Sequence, residues 1–130
     1  MSRFTLTGLF AGLCLLANAS FVLAGEAEDG AATKKMAQIM MGVNHYPSAA
    51  EKADLKKMAD DTKLSEAVRH IATAIINMEH KATDADKAKL GKIVGDEKAP
   101  ANTKELAGVI NGFHHQAGAA DKEKLAKIAK

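Results

Sequence analysis

The sequence predicts an all-α domain made of three tandem helical hairpins, preceded by an N-terminal signal peptide. Two observations predict it. The chain repeats itself without gaps every 35 residues, over 33–60, 68–95 and 103–130. Within each copy, apolar residues recur at the spacing of one helical face. About six short helices result, each too short to be stable alone, so they must pack either as a small solenoid or as a closed bundle.

Residues 1–24 have the pattern of a secretory signal peptide. Arg3 supplies a positive charge, and the stretch from Phe4 to Ala24 then carries no charge. It ends in Val22-Leu23-Ala24, which a signal peptidase accepts. The alternative is an uncleaved membrane anchor, the only membrane contact that we expect. Either interpretation predicts a periplasmic or secreted protein. The small, acidic segment 25–32 is predicted to be a flexible lead-in.

The cysteine count limits the chemistry of the exported chain. The sequence has one cysteine, Cys14, and it lies within the predicted signal peptide. After cleavage the chain has no thiol, which excludes disulfides, cysteine zinc sites and cysteine nucleophiles. We therefore expect the exported domain to fold by packing alone.

The three copies share two kinds of informative residue. His45, His80 and His115 coincide, and this match carries weight because the chain has only five histidines. Apolar residues also coincide, so that the same face of each helix is predicted to enter the core. These core residues are Met36, Met40 and Val43 in the first copy, with Leu55, Leu90 and Leu125 at equivalent places in the second helices.

Local sequence signals predict where the helices begin. Ser48 and Glu51 have the spacing of a capping box, in which a hydroxyl and an acid bond the free N–H groups of the first helical turn. The equivalent place in the second copy has Thr83 and that in the third has Gly118, which lacks the hydroxyl. The remaining helix starts are predicted at Ser65 and at a second capping box formed by Asn102 and Glu105.

Composition excludes several functions. Aromatic residues make up 4% of the chain, too few for a protein that stacks on nucleic-acid bases. Eighteen basic residues against 16 acidic ones give no strong field for a polyanion. No phosphate loop or nucleophile elbow occurs, so we do not expect an enzyme. A basic strip on the second helices fits a solvated face; it comprises Lys52, Lys57, Lys87, Lys92, Lys122 and Lys127.

Two functions are consistent with the repeated histidines. If His45, His80 and His115 end the first helices, they can bond the last helical carbonyls, a structural role. The leading hypothesis is then a non-enzymatic module that binds an unidentified envelope protein and carries no cofactor, with the histidine surface as its candidate site.

The alternative is a small periplasmic metal-binding protein for copper or another divalent transition metal, since histidine and methionine without cysteine suit copper. Three equivalent histidines would form a row in a solenoid, and only a closed arrangement would bring them together. The secondary metal candidates are His70, His114, Met40 and Met41.

Overall fold

The computed structural model describes the backbone from residue 17 and the side chains from residue 25. Every regular element in this part of the chain is an α-helix, as the sequence predicts. Residues 1–16 of the predicted signal peptide lie outside the described residues. The helices are α1 (Ala17–Gly42), α2 (Ala49–Asp60), α3 (Glu66–Asn77), α4 (Asp84–Gly95), α5 (Ala101–Asn111) and α6 (Ala119–Ile128).

The helices form a closed bundle with approximate threefold symmetry. The first helices of the copies, α1, α3 and α5, contact one another. Each second helix packs mainly against the first helix of the next copy: α2 against α3, and α4 against α5. Helix α6 packs against α1 and so closes the ring. The main packed pairs therefore join neighbouring copies, and the solenoid alternative does not apply.

Burial follows this division into inner and outer helices. The inner helices α3 and α5 bury five residues each, whereas α2 buries only Leu55. Leu55 and its equivalents Leu90 and Leu125 are fully buried, as predicted from the repeat. Met36 and Met40 are also fully buried, where their flexible side chains fill the core.

The helix starts mostly agree with the capping signals. Ser48 and Glu51 form the predicted capping box: the Glu51 N–H donates to Ser48 Oγ, and the Ser48 N–H donates to the Glu51 carboxylate. Ser65 and Thr83 cap α3 and α4 through their hydroxyls. The helix that follows Gly118 has no side-chain cap, again as expected.

The predicted capping box at Asn102 and Glu105 is wrong. Pro100 is the N-cap of α5, and its side chain makes no capping hydrogen bond. Because the proline ring fixes φ, here at −56°, residue 100 is already held in the geometry that precedes a helix. Asn102 consequently falls inside the first turn instead of ahead of it.

Residues 25–32 also differ from the flexible lead-in predicted for them, because they continue α1. One hydrogen bond anchors this segment to the start of α3, and another lies within α1. The Asp29 carboxylate accepts a hydrogen bond of 2.8 Å from the backbone N–H of Ser65. The backbone carbonyl of Asp29 accepts another, of 2.7 Å, from the hydroxyl of Thr33, which is buried together with Ala32. Over the described residues, no helix has the length and apolarity needed to cross a membrane.

Candidate functional site

The candidate site lies where the first helix of each copy connects to the second. In each connection two buried residues flank a more exposed tripeptide whose middle residue is histidine. In the first copy Val43 and Pro47 are the buried pair, and His45 lies between them. Because the buried residues fix both ends of the connection in the core, the histidine is held at the bundle surface. The equivalent buried pairs are Met78 with Ala82, and Phe113 with Ala117.

The backbones of the three histidines are joined in a ring of hydrogen bonds. The His80 N–H donates to the His45 carbonyl over 2.9 Å, and the His115 N–H donates to the His80 carbonyl over 2.6 Å. The His45 N–H donates to the His115 carbonyl and completes the ring. Each connection is thus tied to both others, and the three histidines surround the approximate threefold axis.

All three histidines have a left-handed backbone conformation. Their φ angles are 74° at His45, 67° at His80 and 60° at His115. Among the described residues no other non-glycine residue has a positive φ, and no glycine has a φ between +20° and +160°. This conformation costs a residue with a side chain about 1–3 kcal/mol, and it persists only where the surroundings hold the backbone in place. Here the hydrogen-bond ring supplies that constraint.

The three imidazole rings form a compact cluster. The ring centroids are 5.1 Å apart for His45 and His80, 5.2 Å for His45 and His115, and 5.1 Å for His80 and His115. Each pair is arranged edge to face. One ring nitrogen from each histidine lies within 4.8 Å of the other two. We call these residues the histidine triad. His80 and His115 are exposed, and His45 is half-buried.

The position of the triad differs from the one predicted. Helix α1 ends at Gly42 and α3 at Asn77, so His45 and His80 lie beyond the helices. The capping role requires these side chains in the last helical turn, and they do not lie there. If the first helices continued to these histidines, a rotation of about 100° per residue would place them opposite the apolar face, but this count does not apply after the helix has ended. The three histidines are nevertheless equivalent in the structure, as the repeat predicts, since they share a left-handed backbone and the same hydrogen-bond pattern.

The secondary metal candidates lie elsewhere or at the margin of the triad. Met40 is fully buried in the core, and Met41 is 38% exposed on α1. His70 is on α3, where its Nε2 lies 3.8 Å from the Glu66 carboxylate. The His114 ring is closest to joining the triad, with its centroid 6.0 Å from that of His115.

The predicted basic strip is a surface of mixed charge. Lys57 lies 3.4 Å from the Asp54 carboxylate, an exposed ion pair of the kind that contributes little to stability. Lys52 is half-buried, and its ammonium group lies 5.9 Å from the centre of the Tyr46 ring. The exposed members of the strip are Lys57, Lys92, Lys122 and Lys127, and Lys87 is half-buried like Lys52.

Comparison with known proteins adds no relative: no family, no curated protein and no solved structure matches this chain. The assignment of a function therefore depends on the geometry of the triad.

Proposed function

We propose that this protein binds one divalent transition-metal ion through His45, His80 and His115. The observation that carries the proposal is the convergence of one imidazole from each copy, with a nitrogen of each within 4.8 Å of the other two. Imidazole nitrogen is a ligand for zinc, copper, nickel and iron. The sequence analysis predicts that only a closed arrangement of the copies would bring the three histidines together, and the helices form such a closed bundle.

The spacing of the nitrogens suits a metal ion after a small closure. Metal–nitrogen bonds of 2.0–2.1 Å in a tetrahedral site place the ligand nitrogens about 3.3 Å apart. From a separation of at most 4.8 Å, each nitrogen moves toward the common centre by about 1 Å or less. Rotation of the imidazoles about their side-chain bonds supplies such a movement, because two of the three side chains are exposed.

The left-handed backbone at the triad further supports a role for the side chains. Glycine adopts a positive φ without a steric penalty, and asparagine, aspartate and histidine adopt it more readily than most other residues. A connection that needed only this conformation would be served by any of these residues. Histidine stands in all three copies, at positions where its side chain is not needed for core packing. Metal ligation explains why an imidazole is used at each position.

The composition of the site favours ions that accept nitrogen ligands. Met40 is buried in the core and is not part of the triad, so the thioether argument for copper loses its main support. With three nitrogens, divalent ions are expected to bind in the general order of affinity in which copper exceeds nickel and zinc. We therefore expect copper(II) to bind most tightly, and we use zinc for nuclear magnetic resonance because this d¹⁰ ion has no unpaired electron and no redox chemistry.

We propose a periplasmic or secreted location on the basis of the signal pattern in residues 1–24. Cleavage after Ala24 would leave the triad and most of α1 intact. The hypothesis of a module that binds an envelope protein concerns the same surface, but the geometry of the triad, as the described residues form it, has no feature specific to a protein partner. Metal binding is the better supported of the two.

The test is calorimetric titration of protein purified without a histidine tag, in a Cys14→Ser background so that the one thiol takes no part. We expect one ion per chain with a dissociation constant of micromolar or below, about 8 kcal/mol or more of binding free energy. Replacing all three triad histidines by glutamine should abolish binding. His70→Gln is the matched control and should bind normally. Absence of binding to copper, nickel and zinc by the parent protein would contradict the proposal.

A further inference from the structure

We infer that an ion in the histidine triad keeps one coordination position open to solvent, through which it is passed directly to an acceptor molecule. This inference rests on the proposed metal binding and concerns how the ion enters and leaves. Structural zinc sites are closed by four protein ligands, whereas sites with three protein ligands keep a fourth position for water or another ligand.

The side chains around the triad leave the fourth position free. Within the described part of the chain, the only group of three or more histidines and acids close enough to share an ion is His45, His80 and His115. His114 is the nearest further imidazole, but its ring centroid is 6.0 Å from that of His115 and the side chain is exposed. The triad therefore provides three protein ligands, and no further histidine or acid of the described residues joins this group.

An incoming ligand has room to reach the ion. A concavity of about 340 Å³ adjoins His80 and is lined by Tyr46, Lys52 and Glu79. Its outer side is open to water, since His80, Glu79 and Tyr46 are all exposed. Tyr46 is 60% exposed, so its aromatic ring can contact a molecule that enters the concavity. A donor group of an acceptor can thus approach the ion beside His80 without unfolding of the bundle.

Transfer through this position proceeds by ligand exchange. A nitrogen, sulfur or carboxylate donor of the acceptor forms a bond to the ion as the bound water leaves. The bonds to the three imidazoles then break as further donors of the acceptor replace them. The ion keeps its charge throughout, and no electron is transferred. The acceptor class is a molecule or protein that presents at least two such donors.

The experiment measures how fast a chelator removes zinc from the loaded protein. Zinc-loaded protein is mixed with excess ethylenediaminetetraacetate in a stopped-flow instrument, in the Cys14→Ser background. If the chelator attacks the bound ion directly, the step is bimolecular and the removal rate rises in proportion to the chelator concentration. If the ion must first dissociate from a closed site, the rate stays constant as chelator rises, and the inference is overturned.

His114→Ala serves as the second variant. With an open position, this substitution leaves the rate and its dependence on chelator unchanged. A constant rate in the parent protein that becomes chelator-dependent in His114→Ala would identify His114 as a fourth ligand and also overturn the inference. Failure of the proposed function is distinguishable, because the parent protein would then not retain zinc in the loading step.

Discussion

The backbone N–H of His45 donates a hydrogen bond to the carbonyl oxygen of His115, which joins the first copy of the repeat to the last. Neither residue is near the other in sequence. The bond exists because α6 packs against α1 and closes the ring of helices. Closure is also what brings three imidazoles together, so the architecture and the candidate metal site have the same structural cause.

Closure can be tested through the exchange of backbone amides with deuterium. The amides of His45, His80 and His115 lie in surface connections, yet each donates to a carbonyl in another copy. Opening these bonds requires separation of copies, so we expect slower exchange than at the preceding amides of Asn44 and Glu79. Equally fast exchange at both sets, measured by nuclear magnetic resonance, would argue against a closed ring.

The left-handed conformation of His80 predicts a residue-specific effect on stability. Asparagine tolerates a φ of 67°, whereas the β-branched side chain of valine does not. We expect His80→Val to lower the free energy of unfolding by about 1–3 kcal/mol relative to His80→Asn. Both variants remove the exposed imidazole, so the comparison isolates the backbone. Urea denaturation without metal measures the difference, and equal stability of the two variants would show that residue 80 is not strained.

A third prediction concerns the uncapped start of α6. Gly118 has φ −65° and ψ 168°, and a Cβ built there meets only the Asp121 carboxylate at an ordinary 3.9 Å. Gly118→Ser should supply the missing cap and reduce the entropy of the unfolded chain. Together these effects should stabilise the protein by about 1 kcal/mol.

The matched control for this change is the existing cap of α2. Ser48→Ala removes the hydroxyl that accepts from the Glu51 N–H and should cost about 1 kcal/mol. Denaturation midpoints of the two variants are expected on opposite sides of the parent value. If Gly118→Ser destabilised the protein, the prediction that a serine caps α6 at this position would be wrong.

Metal binding should also raise the stability of the folded chain. The triad exists only when the three connections meet, so the ion binds the folded state in preference to the unfolded one. At a free ion concentration one hundred times the dissociation constant, linkage predicts a gain of about 2.7 kcal/mol. Thermal unfolding with and without zinc measures it. The protein with all three triad histidines replaced by glutamine should show no gain, and an equal gain there would place the ion elsewhere.

The sequence was sufficient for the local parts of the structure. The repeat, the buried leucines Leu55, Leu90 and Leu125, and the caps at Ser48 and Ser65 all follow from residues close together in the chain. Periodicity and capping depend only on residues that are close together in the chain, so they can be recognised within each copy separately. The misplaced start of α5 shows the limit of such signals, because one proline moved the helix start ahead of Asn102.

The non-local parts could not be predicted. Nothing within one copy determines that α2 packs mainly against α3, or that α6 returns to α1. The sequence therefore did not distinguish a solenoid from a closed bundle. For the same reason it did not distinguish a row of histidines, as in a solenoid, from a cluster, as in a bundle. The left-handed backbone at His45 was also missed, because helical spacing was extended beyond the end of α1 at Gly42.

The central claim is that His45, His80 and His115 bind one ion together, and nuclear magnetic resonance of the histidine side-chain nitrogens tests it most directly. On addition of one equivalent of zinc, we predict that one ring nitrogen of each triad residue shifts to the position typical of metal ligation, while those of His70 do not move. Saturation at one equivalent is expected. Unchanged triad resonances, or a shift confined to His70 and His114, would contradict the account.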